Sequence, residues 1–71
     1  MKAFDRVVAA LSDGYWHDVT ELGRKVAVSG EKLGKVLEFL KHYGFIHLSK
    51  GSVKLTDEML KFQRVIQGLE N

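Results

Sequence analysis

The side chains in this chain best placed to do chemistry are cations near its centre: Lys32, Lys35, Lys50 and Lys54, with Arg24 and Lys25 just before them. The net charge of +2 is too small to specify a partner. Its distribution says more. Residues 1–28 carry four basic and four acidic side chains, residues 29–56 five and two, and residues 57–71 two and three. The positive excess therefore lies in the middle, where an anionic partner is expected to bind. Each cation set against a phosphate releases condensed counterions, so such binding weakens steeply with salt. Lysine is a point charge, better suited to phosphate than to two-pronged recognition of a base edge. A single lysine has an equally good plain reading: Glu31 and Lys35 stand four apart in the favourable helical orientation and can pair on a solvated face, as can Glu38 and His42. Taken as a cluster, the lysines point to a polyanion.

Other chemistry is not indicated. His17, His42 and His47 form no i, i+4 ligand pair and no local carboxylate cluster joins them, so no metal site is expected. The absence of cysteine removes disulfides, thiolate zinc sites and a cysteine nucleophile together, and fits a reducing compartment. There is no glycine-rich phosphate loop and no nucleophile elbow, so neither a catalytic residue nor a cofactor is expected and the chain does not read as an enzyme. The longest apolar run, Val7 to Leu11, falls far short of the roughly 18 residues of a membrane span, and Asp5 interrupts any signal-like start. A soluble, cytoplasmic protein is the expectation, with no membrane partner. Seventy-one residues suit one small domain over 1–71, burying about 60% of its unfolded surface.

The elements that must position the cations follow from periodicity and caps. Phe4, Val7, Val8 and Leu11 share one side of a helix over about 2–11, which Ser12-Asp13-Gly14 stops. Tyr15-Trp16-His17 reads as a short extended stub with Trp16 plugging the core. Asp18 followed by Glu21 matches an acidic capping box, opening a helix over about 18–26 along Val19, Leu22 and Val26. Ala27-Val28 is a turn, and Ser29 caps a third helix over about 30–43. Leu33, Val36, Leu37 and Leu40 form its buried face, closed by Tyr43, and Gly44 ends it. Phe45 to Leu48 and Val53 to Leu55 flank Ser49-Lys50-Gly51-Ser52, predicting a hairpin over about 45–55. Thr56 caps a last helix over about 57–69, with Asp57 and Glu58 suiting its dipole.

The fold class is therefore mainly α with a small β-hairpin (α+β), in the order α-β-α-α-β-β-α. The stretch from Asp18 to Thr56, DVTELGRKVAVSGEKLGKVLEFLKHYGFIHLSKGSVKLT, resembles the winged helix-turn-helix domains of small prokaryotic, especially archaeal, transcriptional regulators. The features that carry it are ELGRKVAVSGEKLGKVLEFL, the YGFI exit from the third helix, and the LT that ends the hairpin. The resemblance implies a third helix whose N-terminal half enters the major groove and a hairpin wing lying on the backbone or minor groove. It implies Ser29, Glu31, Lys32, Gly34 and Lys35 as groove-facing, Lys50 on the wing and Lys54 flanking it. The family's third helix often carries several Arg, Thr, Ser, Asn or Gln side chains, whereas the exposed positions here read Glu31, Lys32, Gly34, Lys35, Glu38, Lys41 and His42.

Gly34 inside a helix costs roughly 1 kcal/mol against alanine and so asks for a reason. With Gly30 it leaves one flank bare, either for a phosphate or for close packing of the second helix on the third; packing is the expectation. Phe4, Trp16, Phe45 and Phe62 are expected in the core, and Phe39 at the edge of the third helix's apolar face. In the last helix Met59, Phe62, Ile66 and Leu69 recur at the spacing of a coiled-coil seam, and Leu60 falls off that stripe as added surface. A homodimer through this helix would set two third helices about one DNA turn apart. The function expected is that of a duplex-DNA-binding regulator or chromatin-associated factor. The alternative is a protein-interaction module, which Glu31 and Glu38 on the presumed reading face favour.

Overall fold

The structure is a computed structural model that describes the backbone of residues 2–70 and the side chains of residues 3–66, 68 and 69. It is mainly helical with a small antiparallel sheet. The elements are α1 (Lys2–Ala10), β1 (His17–Asp18), α2 (Val19–Val26), α3 (Gly30–His42), β2 (Ile46–Ser49), β3 (Ser52–Leu55) and α4 (Asp57–Glu70), so the order expected from the sequence is observed. The sheet runs β1-β3-β2, with His17 opposite Val53 and Lys54 opposite His47.

Helix ends follow the cap chemistry. The Asp18 carboxylate accepts the Glu21 backbone N–H at 3.0 Å, and Ser29 Oγ accepts that of Lys32 at 3.3 Å. Glu21 gives its own carboxylate to Arg24, so only one arm of the expected capping box forms. Thr56 Oγ1 accepts from Met59 N at 3.3 Å and starts α4 directly from β3.

The core draws Val7, Val8 and Leu11 from α1, Leu22 and Val26 from α2, Leu33, Val36, Leu37 and Leu40 from α3, Ile46, Val53 and Leu55 from the sheet, and Met59 from α4. These are the apolar positions that the helical and strand periodicities select.

The aromatic residues depart from expectation. Trp16 is 48% exposed and does not plug the core. Val53 and Leu55 already fill the inner face of β3, and Trp16 falls one step beyond β1 on the outer face, beside Lys54. Tyr43 does not close the buried face of α3; Leu40 and Ile46 do, while Tyr43 lies outside against Phe39 and Phe45. Phe62 is 57% exposed, because α4 meets the core only through its first turns. Leu60, expected at the surface, is instead packed against that core. Phe4 and Phe45 are half-buried on its edge.

The packing expectation for Gly30 and Gly34 is also overturned: a Cβ at either would meet no atom within 4 Å. The close approach between α2 and α3 is at Gly23, where a Cβ would lie 3.2 Å from Leu33 Cδ2.

Candidate nucleic-acid interface

The joint between α2 and α3 is three residues long. Ala27 takes a left-handed conformation (φ 55°), and its N–H and that of Val28 donate to the carbonyls of Arg24 and Gly23, closing α2. Val28 turns inward onto the core and Ser29 starts α3. This short joint holds the two helices in fixed relation.

At about 100° per residue, the exposed surface of α3 divides into three stripes. Glu31, Lys35, Glu38 and His42 stand outermost, opposite the buried leucines. Lys32, Phe39 and Tyr43 face α1, where Phe4, Lys32, Lys35, Val36 and Phe39 line one groove. Gly30 and Gly34 face α2, and there Thr20 and Arg24 join them along a second groove. The outermost stripe is of mixed charge, and its Glu31 and Lys35 lie 3.9 Å apart on fully solvated side chains. A pair so exposed holds its lysine only weakly.

The hairpin between β2 and β3 turns through two residues, Lys50 (φ 49°) and Gly51 (φ 78°). Both lie in the left-handed region, as a type I′ turn demands. Lysine there is unusual, since a Cβ is disfavoured in that region by roughly 1–2 kcal/mol. The turn is also anchored: the Gly51 carbonyl accepts the Val19 N–H at 2.8 Å. The turn is thus held at the start of α2, whose Val19 lines one groove with Gly30 and Gly34.

The cations singled out in the sequence therefore do not form one ridge. Arg24, Gly30 and Gly34 line the α2–α3 groove together with Val19, to which the Lys50–Gly51 turn is tied through the Gly51 carbonyl, and Ser29 caps α3. Lys32 and Lys35 border the groove on the α1 side. Lys54 lies on the outer face of the sheet, its ammonium 5.1 Å from the Trp16 ring centre. Lys25 is on the far side of α2, close enough to Asp13 to help lower that carboxyl's pKa. The main causes of that lowering are the His17 ring nitrogen, 2.9 Å from Asp13 Oδ1, and the Tyr15 backbone N–H at the same distance.

No protein-family model matches this sequence, and no curated protein matches it.

Two features were not anticipated from sequence. Arg6, on α1, donates to the carbonyl of Val26. Thr20 shares the outer face of α2 with Arg24, already singled out, by its i, i+4 spacing, a signal that only the positions of α2 and α3 make useful. Among the described residues there is no cluster of three or more His, Cys, Asp or Glu able to hold a metal ion, and no helix long and apolar enough to cross a membrane.

Of the residues expected to pair two copies, Met59 belongs to the protein's own core, whereas Phe62, Ile66 and Leu69 are exposed, Leu69 by 81%. Phe62 and Ile66 line a groove between α4 and α1 with Phe4 and Val8. Gln63 Oε1 is buried there and accepts no hydrogen bond.

Proposed function

We propose that this domain is a winged helix-turn-helix module that binds duplex DNA, acting as a small transcriptional regulator or chromatin-associated factor. In this reading α3 enters the major groove and the β2–β3 hairpin is the wing, with Lys50 on the phosphate backbone. The observation that carries the proposal is the anchored wing tip: a lysine kept in a disfavoured backbone conformation, tied by the Gly51–Val19 hydrogen bond to the start of α2, whose Val19 shares a groove with the bare flank of α3. Strain of this kind persists where surrounding structure fixes it, and an exposed cation at such a point supports a binding role.

The bare flank of Gly30 and Gly34, unused in packing, lets a phosphate come close to the helix backbone. Arg24 borders the same groove as the glycines, and Lys32 and Lys35 lie across the ridge of α3. The contacts so assigned are mainly to phosphate, which predicts strong salt dependence and weak discrimination between sequences. Phe62, Ile66 and Leu69 supply the apolar seam for a homodimer through α4.

The test is a titration of duplex DNA across a range of salt, with parent protein and a variant carrying Lys32→Ala, Lys35→Ala and Lys50→Ala. Loss of three phosphate contacts is expected to flatten the log–log salt slope by about 2.7. Parent-like affinity in the variant would remove the assignment. The mixed charge of Glu31, Lys35, Glu38 and His42 favours a second reading, a protein-binding surface on the same helix. No duplex binding at low salt would select it.

A further inference from the structure

We infer that the outer face of the three-stranded sheet is a second nucleic-acid surface, built for unpaired bases and separate from the duplex-binding face. The pleat sends Val53 and Leu55 inward and Ser52 and Lys54 outward. Lys54 pairs with His47 across β2, and the β1 register, with His17 opposite Val53, carries on to set Trp16 opposite Lys54. Trp16, Lys54 and His47 thus form one row across the sheet, with neighbours about 5 Å apart.

Three observations give this row its specificity. Trp16 is half exposed although it is the chain's one tryptophan, a residue with more apolar surface to lose to water than any other. The Lys54 ammonium lies over that ring, 5.1 Å from its centre, so one ring face and the cation form a single site. Asp13 is engaged with His17 and Asp18 with the Glu21 N–H, and neither is bonded to Lys54.

A base stacking on that ring face takes the place of the Lys54 ammonium, which then has the base's own phosphate as its partner. Bases inside a duplex are stacked on one another and cannot lie on a ring, so the occupant is a single strand.

Trp16 is its own reporter. Oligothymidylate of about 12 nucleotides, within the span of single-strand sites, is titrated at low salt against Trp16 fluorescence, beside a hairpin duplex of equal charge. Saturable quenching by the single strand, and markedly less by the duplex, is expected. Binding of a labelled oligothymidylate is then followed by anisotropy. Trp16→Ala is expected to weaken it roughly tenfold, Trp16→Phe to restore most of the loss, and Lys54→Gln to weaken it and flatten its salt dependence. Trp16 and Lys54 are surface residues, and the circular dichroism of each variant verifies the fold. The proposal is overturned if the duplex quenches as strongly as the single strand, if the strand binds without quenching Trp16, if it does not bind, or if Trp16→Ala binds as the parent does. Duplex binding by the Trp16→Ala protein is measured alongside, so failure here is distinct from failure of the duplex reading.

Discussion

The Arg6 guanidinium donates a 3.0 Å hydrogen bond to the backbone carbonyl of Val26, twenty residues on, at the last position of α2. The final carbonyls of a helix have no partner within it and carry the negative end of its dipole. A cation from α1 therefore both caps α2 and fixes the angle at which the α2–α3 unit leaves α1. Arg6→Ala is expected to destabilise the protein by about 1–2 kcal/mol, in the range for a partly solvated hydrogen bond to a charged group. Urea denaturation measures it. Duplex DNA affinity at saturating folded protein should change little, because Arg6 is committed to Val26.

Among the described residues, two with side chains hold the left-handed conformation, Ala27 at φ 55° and Lys50 at φ 49°. They are expected to answer substitution differently. Ala27→Gly should raise stability by roughly 0.5–1 kcal/mol, since relief of the Cβ exceeds glycine's entropic cost. Lys50→Asn should also stabilise, by up to about 1 kcal/mol, because Asn-Gly is the favoured type I′ pair. Yet the Lys50 variant should lose duplex affinity, and the Ala27 variant should keep it. Thermal melts and a DNA titration on both proteins separate a turn that is merely strained from one whose lysine is retained for contact.

These residues also mark how far the sequence could be read. Helix and strand positions were legible because apolar period and cap residues agree: Ser29 before Leu33 and Thr56 before Met59 announce helix starts without tertiary knowledge. Trp16 was misjudged because aromatic size argues for burial, while the face it takes depends on a register with β3 some forty residues away. Gly34 was misjudged for a related reason. An α2–α3 approach requires small residues, but Gly23 supplies it, and only the crossing of the two helices tells which glycine is used. The cations could be named from the sequence, but not their arrangement. Their division between the hairpin side, the α1 side, the sheet face and the back of α2 is set by helix rotation and strand pairing.

The pair formed by Asp13 and His17 predicts an acid-side dependence of stability. Asp13 is held below its ordinary value of 3.8, chiefly by the His17 ring and next by the Tyr15 N–H. A carboxyl with a depressed folded-state pKa contributes stability that is fully present above the unfolded value and is lost as pH falls through the folded one. The contribution of Asp13 is thus whole above pH 3.8 and fades below it. Because the group is well solvated, the effect is expected to be small. Asp13→Asn keeps an acceptor for the Tyr15 N–H but has no proton to take up. The stability difference between parent and variant should be constant from neutral pH to about 4 and shrink at lower pH. Denaturant midpoints collected across that range test it, and a difference that grew with acidity would contradict the assignment.

Gly34 separates the two functions that its helix can serve. Its place on α3 has open space where a Cβ would be, so Gly34→Ala introduces no clash within the domain. Alanine is favoured over glycine in a helix interior, and the variant should be more stable by about 1 kcal/mol. A glycine retained against that gain, and not needed for packing, is accounted for if something outside the protein approaches the bare helix. For a DNA backbone seated along the Gly30–Gly34 flank, the added methyl should lower duplex affinity by about 1 kcal/mol, the lower end of an overpacked contact. Stability and affinity would then move in opposite directions, which no folding defect can produce. Gly23→Ala provides the contrast: its Cβ meets Leu33 Cδ2 at 3.2 Å, so part of the helical gain is offset inside the protein. Gly34→Ala protein that melts higher and binds duplex DNA as tightly as the parent would show that this flank does not face the DNA. The contact would then rest on the Lys32 and Lys35 side of the helix.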